Sequence, residues 1–175
     1  MDHRDHLDLI RDGVAPGAWA ELGSGGGAFT LALADLLGGR GHIVSIDRDA
    51  GALRRQRQAL SSRFPGAQVE YVAADFTRPL DLADMDGVLM ANSLHFVRRK
   101  EPVLAAIHGW LKPGGRLLMV EYDADRGNPW VPHPFSYPTW ERMAAASGFT
   151  GTRLLSRRPS GHLNAIYAAL SSRPR

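Results

Sequence analysis

The sequence predicts an α/β protein whose mostly parallel sheet is covered by helices on both faces. One observation is the alternation of short apolar runs with amphipathic runs of helical length, which is typical of α/β folds. A second is that several apolar runs are continuous, as in strands that are buried on both faces. The third is a glycine-rich bend, Glu21 to Thr30, between the first apolar run and the amphipathic run that follows it. Together they predict a repeated arrangement of strand, loop and helix.

Length and composition limit the number of domains and the kinds of site. The chain has 175 residues, 44% of them hydrophobic, which suits one globular domain over residues 1–175. The lack of cysteine excludes disulfides, thiolate zinc sites and cysteine nucleophiles, and we expect no metal. No apolar run approaches the roughly 20 residues that span a bilayer, and the N-terminus lacks the apolar core of a signal peptide. We therefore expect a cytoplasmic protein with no membrane partner.

Basic residues are unusual in kind rather than in number. Arginine supplies 19 of the 21 basic residues, and the formal net charge is +3. Arginine pairs well with phosphate, so a nucleic-acid partner is one interpretation. The preferred interpretation is a bacterial coding bias towards arginine, alanine and glycine, with the arginines on an ordinary solvated surface.

The first predicted element is a short helix over Asp5 to Asp12, ended by Gly13. His3 and His6 lie near aspartates, a combination that could ligate a metal. No third set of ligands accompanies them, so we expect a frayed, polar N-terminus instead. Residues 1–16 are then a short helical segment ahead of the sheet.

The glycine-rich bend follows a strand predicted over Gly17 to Leu22 and leads into a helix predicted over Ala28 to Leu37. Glycines let the backbone approach a ligand closely, and the first N–H groups of the helix point at it. The bend therefore suits a nucleotide-like ligand. Gly23-x-Gly25-x-x-Ala28 also fits the dinucleotide fingerprint, which is a weak signal alone. Glu21, near the end of the strand, suits a cationic ligand better than a pyrophosphate.

Two further predicted strands carry an acid where they end. The strand over His42 to Asp47 puts Asp47 next to the first strand, where a carboxylate can accept hydrogen bonds from both ribose hydroxyls. Nicotinamide enzymes use the same device, so Asp47 indicates an adenosine ligand without identifying it. A helix over Ala50 to Arg63 follows, and then a strand over Gln68 to Phe76 that ends at Asp75 and Phe76.

A fourth strand, predicted over Asp86 to Asn92, runs into the polar segment Ser93-Leu94-His95-Phe96. A helix over Glu101 to Leu111 follows, then a tight turn at Lys112-Pro113-Gly114-Gly115-Arg116 and a fifth strand over Leu117 to Tyr122. Because the carboxyl ends of parallel strands meet at one rim, we expect these strand ends beside the glycine-rich bend.

Three of these segments resemble motifs of the class I S-adenosylmethionine-dependent methyltransferases. Glu21-x-Gly23-x-Gly25-x-Gly27 resembles motif I, and Asn92-Ser93-Leu94-His95 resembles the small-molecule form of motif IV found in quinone-biosynthesis methyltransferases. Leu111-Lys112-Pro113-Gly114-Gly115 resembles the turn before the family's fifth strand. The resemblance implies a Rossmann-like, three-layer αβα sandwich with a seven-stranded, mostly parallel sheet, ordered 3-2-1-4-5-7-6 with the last strand antiparallel.

The same resemblance implies S-adenosyl-L-methionine as cofactor and S-adenosyl-L-homocysteine as product. It assigns Asp75 and Phe76 to the adenine, and it agrees with Asp47 at the ribose. The residues that it implies for the cofactor are Glu21, Gly23, Ser24, Gly25, Gly27, Asp47, Arg48, Asp75, Phe76, Asn92 and Ser93.

The C-terminal part favours a methyltransferase over a nicotinamide enzyme. After a helix predicted over Thr139 to Ser147 come two apolar-alternating runs, Gly151 to Ser156 and His162 to Leu170, separated by Pro159-Ser160-Gly161. Their closeness across a short turn predicts an antiparallel hairpin. The methyltransferase family ends its sheet with such a hairpin, whereas a nicotinamide-binding half would continue with another crossover.

Residues 123–138 lie outside the family's common core and carry four prolines interleaved with three aromatics. Prolines lower the ordering cost of a loop, so its aromatics can form a preset wall for an acceptor; packing onto the core is the alternative. The residues predicted on the acceptor side are His95, Tyr122, Trp130, Phe135 and Tyr137. His95 is the first candidate for a general base and His133 the second, with a structural role open for both.

We therefore expect an enzyme that transfers a methyl group in-line to oxygen, nitrogen or carbon of a small-molecule acceptor. Three alternatives stay open: a nucleic-acid methyltransferase, an NAD(P)-dependent reductase and a non-catalytic S-adenosylmethionine-binding protein. Nucleic acid is the less expected partner. The N-terminal segment is shorter than the lid of many family members, so the acceptor pocket is expected to be shallow, completed by residues 123–138, or finished by the second subunit of a homodimer.

Overall fold

The computed structural model describes residues 1–163 and 165–175 of the chain. Within these residues α-helices and strands alternate as predicted, and a short 3₁₀ turn follows the fourth strand. In chain order the elements are α1 (His3–Ile10), β1 (Gly17–Leu22), α2 (Ala28–Leu37), β2 (Gly41–Asp47), α3 (Ala50–Arg63), β3 (Gln68–Ala73), β4 (Met85–Ala91), the 3₁₀ turn (Leu94–Phe96), α4 (Glu101–Trp110), β5 (Leu111–Tyr122), α5 (Tyr137–Ala146), β6 (Thr150–Pro159) and β7 (Ala165–Ser172).

The strands form one seven-stranded sheet in the order β3-β2-β1-β4-β5-β7-β6. Neighbouring strands are parallel except where β7 is involved, since β7 runs antiparallel to both β5 and β6. The predicted strand order and the C-terminal hairpin are therefore confirmed. Because β1 to β5 run in one direction, their carboxyl ends meet at the same rim of the sheet.

Apolar side chains cover both faces of the sheet. On one face α1, α2 and the end of α3 pack over Trp19, Leu89 and Leu118, all of which are fully buried. On the other face α4 and α5 pack over Met90 and Met119. The sheet is thus the middle of three layers, which explains why its central strands are continuous apolar runs. Within the described residues, no helix combines the length and the apolar character that crossing a bilayer requires.

The glycine turn before the fifth strand belongs to β5 rather than preceding it. Met85 of β4 pairs with Leu111, whereas Gly87, only two residues later, pairs with Arg116. Residues 112–115 therefore leave the ladder as a bulge, and Gly114 takes a positive φ of 77° there. The sequence signal for a turn was correct, but the chain continues in the same strand on both sides of it.

The C-terminal elements have other bounds than their sequence patterns indicated, and α5 and β6 are longer. Helix α5 begins at Tyr137 rather than Thr139, because Pro138 is tolerated in the first helical turn. Strand β6 continues past Ser156 to Pro159. The predicted run from His162 to Leu170 includes Asn164, which lies outside the described residues, and the described strand begins at Ala165.

The N-terminal helix corrects two predictions. It starts at His3 rather than Asp5, because the side chain of Asp2 accepts from the Asp5 N–H while the Asp5 side chain accepts from the Asp2 N–H. The ring of His3 lies 2.8 Å from the carboxylate of Asp35 on α2, and Arg158 of β6 forms an ion pair with Asp5. The prediction of a frayed N-terminus is therefore wrong: the segment is capped and packed on α2 and the hairpin.

Candidate active site

A cavity of about 510 Å³ lies at the rim where β1, β2, β3 and β4 end. This is the position at which open α/β sheets bind ligands. Its walls come from the glycine-rich bend, from the loops after β2 and β3, and from the 3₁₀ turn after β4. The predicted cofactor residues that line it are Gly23, Gly25, Asp47, Arg48, Asp75, Phe76, Asn92 and Ser93.

Two glycines of the bend are required by close packing as well as by backbone conformation. Gly27 has a φ of 83°, and a Cβ there would lie 2.2 Å from Cγ of Gln56. Gly23 has a φ of 74°, and a Cβ there would lie 2.6 Å from Cβ of Ser93. Both positions therefore admit only glycine without rearrangement. Gly27 is the N-cap residue of α2 and is not among the residues that line the cavity, so its predicted contact with the cofactor stays a prediction.

A buried polar network holds the bend from behind. The Gln56 amide donates to the carbonyl oxygen of Gly25 (3.3 Å) and to the hydroxyl of Ser24 (3.1 Å). The hydroxyl of Ser45 donates to the side-chain carbonyl oxygen of Gln56 at 2.6 Å, and it lies 2.8 Å from the hydroxyl of Ser24. Ser24, predicted to contact the cofactor, is therefore part of the support for the bend. Sequence reasoning missed Gln56, whose only signal was a polar residue on the buried stripe of α3.

Asp47 anchors the bend from the front. One carboxylate oxygen accepts a hydrogen bond from the Gly25 N–H at 2.7 Å, and the other accepts from the Asp49 N–H at 2.8 Å. The side chain still lines the cavity. Each carboxylate oxygen can accept more than one hydrogen bond, so Asp47 retains capacity for a ligand. The Gly25 N–H, in contrast, is already engaged by a carboxylate.

Glu21 lies beneath the bend rather than in the cavity wall. Its side chain is 2% exposed and accepts a hydrogen bond from the hydroxyl of Thr30 in the first turn of α2. The pKa of Glu21 is raised to about 8, chiefly because burial disfavours the charged form. The hydrogen bond from Thr30 lowers this pKa by a smaller amount, and the nearby charge of Asp47 raises it. The carboxyl group therefore holds a proton over much of the neutral range. The predicted contact of Glu21 with the cofactor stays a prediction.

Asp75 and Phe76 form the wall at the end of β3. One oxygen of Asp75 accepts from the N–H of Thr77 at 2.9 Å and from its hydroxyl at 2.7 Å, and these bonds lower the pKa of the exposed carboxyl. Phe76 packs against the bend, with a ring carbon 3.2 Å from the position that a Cβ of Gly23 would take. An exposed acid beside an aromatic ring suits a flat, amine-bearing group, as predicted for the adenine.

Asn92 lines the cavity and carries a buried polar atom without a partner among the described residues. Its φ of 52° is unusual for a residue other than glycine, and its N–H donates to the carbonyl oxygen of Val120 at 2.8 Å. Among the described residues, nothing donates to its buried side-chain oxygen. Ser93, the next residue, donates instead to the carbonyl oxygen of Leu22 at 2.7 Å. A buried acceptor without a partner costs free energy, so this atom is suited to a donor group on a ligand.

His95 lies behind the cavity wall rather than in it. Its ring is 2% exposed, and Nδ1 lies 2.9 and 3.2 Å from the two carboxylate oxygens of Glu121, which also accepts from the His95 N–H at 3.1 Å. Tyr122 meets the ring edge-on, with the two centroids 5.6 Å apart. Phe96, the next residue, lines the cavity and is 63% exposed. Sequence reasoning missed Glu121, although an acid after the apolar run of β5 was a signal.

The proline-rich segment divides its predicted acceptor residues between core and surface. Phe135 is 2% exposed and packs on Trp140 in the core, and Tyr137 packs edge-on against Tyr167. Trp130, in contrast, is 79% exposed. His133 is joined to the rim by its backbone, since its N–H donates to the carbonyl oxygen of His95 at 3.0 Å. For Phe135 the structure supports core packing, and the acceptor roles of the others stay predictions.

Comparison with known proteins identifies the family. A family model described as a methyltransferase domain matches residues 20–119, more than half of the chain. The ubiquinone/menaquinone biosynthesis C-methyltransferase UbiE of Ectopseudomonas mendocina is 34% identical over 119 residues, which are 67% of this chain and 46% of that protein. The chain therefore spans less than half the length of such relatives.

Solved structures show the same fold at low sequence identity. The 1,6-didemethyltoxoflavin-N1-methyltransferase of Burkholderia thailandensis, crystallised with 1,6-didemethyltoxoflavin and S-adenosylhomocysteine, has a TM-score of 0.75 at 20% identity, over 99% of this chain and 78% of that one. YcgJ of Bacillus subtilis has a TM-score of 0.78 at 11% identity, over 99% and 100% of the two chains. With the family match, and with the segments that resemble motifs I and IV at the rim, this chain belongs to the class I S-adenosylmethionine-dependent methyltransferases.

Proposed function

We propose that the chain transfers a methyl group from S-adenosylmethionine to a small-molecule acceptor. The observation that carries this proposal is the cavity of about 510 Å³ at the carboxyl rim, lined by the glycine-rich bend, by the carboxylates of Asp47 and Asp75 and by Asn92. The carboxylates are hydrogen-bond acceptors, and the hydroxyl and amino groups of S-adenosylmethionine are donors. The chemistry of the site therefore fits the cofactor of the family.

The bend fits this cofactor better than a nicotinamide dinucleotide. A pyrophosphate binds at such a bend through backbone N–H groups. Here the Gly25 N–H already donates to Asp47, at 2.7 Å, so a pyrophosphate would meet a carboxylate where it needs a donor. The carboxylates of Asp47 and Asp75, which line the cavity, instead suit a ligand that carries cationic groups and hydroxyls.

The residues take separate roles in this proposal. Asp47 accepts from the ribose, Asp75 and Phe76 bind the adenine, and the oxygen of Asn92 accepts from the amino-acid portion. The bound cofactor supplies a methyl group activated by a sulfonium leaving group. The chain holds the acceptor in line with that methyl group and keeps water out of the site. The whole chain acts as one methyltransferase domain, with residues 123–138 as its acceptor-side insertion.

Phe96, Tyr122 and Trp130 define the acceptor side in the proposal. Phe96 supplies an exposed ring at the cavity wall, which suits an acceptor with an apolar or planar surface. Nδ1 of His95 is hydrogen-bonded to Glu121, so His95 would accept a proton from the acceptor through Nε2. The names of similar proteins support a small-molecule acceptor: UbiE is named for ubiquinone and menaquinone biosynthesis, and the Burkholderia thailandensis enzyme for 1,6-didemethyltoxoflavin.

Calorimetry with S-adenosylhomocysteine and with NAD tests the cofactor assignment. We expect saturable 1:1 binding of S-adenosylhomocysteine and at least roughly tenfold weaker binding of NAD. Incubation of the protein with a metabolite extract and methyl-labelled cofactor should then add label to a small molecule. Tighter binding of NAD than of S-adenosylhomocysteine would contradict the proposal. Binding without any labelled product would instead support a non-catalytic cofactor-binding protein.

A further inference from the structure

A second concave site lies on the rim opposite the cofactor cavity. It is a groove of about 400 Å³ where β5 and β6 begin and β7 ends. We call it the arginine groove, because among the described residues four arginines and no aspartate or glutamate line it: Arg116, Arg153, Arg173 and Arg175. Arg116 ends the predicted glycine turn of β5, and the methyltransferase site involves none of the four arginines.

Two of the arginines are held by backbone carbonyl oxygens rather than by acids. Arg116 donates to the carbonyl oxygen of Gly13 at 3.0 Å, and Arg173 donates to that of Leu111. A guanidinium has five N–H donors, so each retains donors for a ligand. Because one end of each guanidinium is fixed, little further ordering is needed when an anion binds.

In the part of the chain that the structure describes, the arginines of the groove carry charge that no acidic side chain compensates, whereas some other arginines have an aspartate partner. Arg11, Arg157 and Arg158 each form an ion pair with an aspartate. Among the described residues, no such ion pair involves an arginine of the groove. Like charges that share one concavity destabilise each other, and a bound anion removes this cost.

The backbone around the groove is firmly connected. The Gly114 N–H donates to the carbonyl oxygen of Arg173 at 3.0 Å, and the Arg173 N–H donates to that of Gly115 at 2.9 Å. These bonds join the bulge of β5 to the end of β7. The side chain of Arg175, three residues beyond the end of β7, lies over Gly114. Arg116 and Arg153 lie in strands and Arg173 directly follows one, so most of the groove is built on the sheet.

The position of the groove separates it from the cofactor. Arg116 pairs with Ser172 at the amino end of β5, and Tyr122 pairs with Ile166 at the carboxyl end. Six residues of strand separate the two positions, which corresponds to about 20 Å. A ligand in the groove therefore cannot take part in methyl transfer by contact.

We propose that the arginine groove binds a small phosphorylated solute. Several guanidinium groups around a space of this size match the oxygens of a phosphate or diphosphate, which each guanidinium can bind through paired N–H groups. A groove of about 400 Å³ holds a small ligand, whereas a nucleic acid requires an extended basic surface. The proposal does not depend on the methyltransferase activity.

Calorimetric titration with inorganic pyrophosphate at constant ionic strength tests it. Wild type should bind pyrophosphate saturably with a 1:1 ratio. Arg153→Ala should weaken binding at least about fivefold, and Arg153→Ala with Arg175→Ala at least about twentyfold, since both side chains are exposed and their loss leaves the fold intact. Arg153→Lys should be intermediate, because it keeps the charge and loses the paired donors.

Arg48→Ala is the matched control, since Arg48 is an exposed arginine that lines the cofactor cavity. It should leave the pyrophosphate affinity unchanged. The proposal would be overturned if wild type showed no saturable binding of pyrophosphate below about 10 mM, or if Arg48→Ala abolished that binding. It would also be overturned if the protein bound RNA and not pyrophosphate, with RNA binding that fell steeply with salt and was weakened equally by Arg153→Ala and Arg48→Ala.

Discussion

The cofactor side and the acceptor side of the rim differ in what their polar side chains bind. On the cofactor side, Asp47 and Asp75 line an open cavity and accept hydrogen bonds from the N–H groups of the loops around them. On the acceptor side, His95 and Glu121 bind each other, at 2 and 0% exposure, behind the cavity wall. The acids on one side line an open cavity, whereas the ionisable groups on the other side are buried and join parts of the chain.

The difference indicates what a substitution should change on each side. An exposed carboxylate in a cavity contributes little to stability, so its loss should be detected mainly in ligand affinity. Two buried side chains that hydrogen-bond each other contribute through the cost of leaving one of them unpaired, so loss of either should be detected mainly in stability. Measurements of both quantities on the same variants can separate the two sides.

The largest effect is expected for His95→Ala. The substitution leaves the carboxylate of Glu121 buried without the imidazole, which should lower the free energy of unfolding by about 3–5 kcal/mol. Denaturant unfolding measures this value. His133→Ala is the control: its observed bond to His95 uses the backbone N–H and survives the substitution, so stability should change by less than about 1 kcal/mol. A stable His95→Ala protein without turnover would instead indicate a catalytic histidine.

The next effect is a dependence of stability on pH that Glu21 causes. Because its pKa in the folded protein is about 8 against 4.5 in a model peptide, the folded state binds an extra proton between these values. Stability should therefore fall as the pH rises through this window. From pH 5 to pH 8 wild type should lose about 2–4 kcal/mol relative to Glu21→Gln, which keeps an acceptor for Thr30 and cannot ionise. An equal pH dependence of the two proteins would contradict the raised pKa.

Local signals in the sequence were sufficient for much of the cofactor side. Strand β1, helix α2 and helix α3 begin and end where the sequence predicted, because glycines, the cap at Asp49 and apolar periodicity all act over a few residues. Gln56 was missed, since its importance depends on the bend that it reaches from another element. A polar residue on a helix does not indicate its tertiary partner.

The acceptor side could be predicted only in part, because its roles depend on how residues 123–136 turn. Phe135 and Trp130 are aromatics of the same proline-rich segment, yet one is in the core and the other is 79% exposed. The side chain of Asn128 accepts from the N–H groups of Trp130 and Val131, and this turn buries Val131. Neither composition nor spacing specifies which ring such a turn directs inward.

Asp47→Ala should separate affinity from stability on the cofactor side. The variant loses the proposed ribose contact and the anchor of the Gly25 N–H. S-adenosylhomocysteine should therefore bind about ten- to a hundredfold more weakly, which corresponds to a loss of about 1.5–3 kcal/mol in binding free energy. Asp49→Ala is the control, since Asp49 caps α3 through the N–H groups of Gly51 and Ala52. It should cost about 0.5–2 kcal/mol of stability and leave affinity within about threefold. Equal affinities for both variants would show that Asp47 only stabilises the bend.

The smallest effect on stability is expected for Trp130→Ala, and it tests whether the acceptor side has any exposed functional group. With 79% of the side chain exposed, its removal should change the free energy of unfolding by less than about 0.5 kcal/mol. Phe135→Ala, five residues along the same segment, should lower the free energy of unfolding by about 3–5 kcal/mol because that ring is buried.

The affinity of Trp130→Ala for S-adenosylhomocysteine should stay within about threefold of the wild-type value. If Trp130 contacts the acceptor, turnover should fall at least roughly tenfold, or the acceptor KM should rise if the ring is only an apolar wall. Full activity would place the acceptor elsewhere along the rim, with Phe96 as the exposed ring that remains at the cavity.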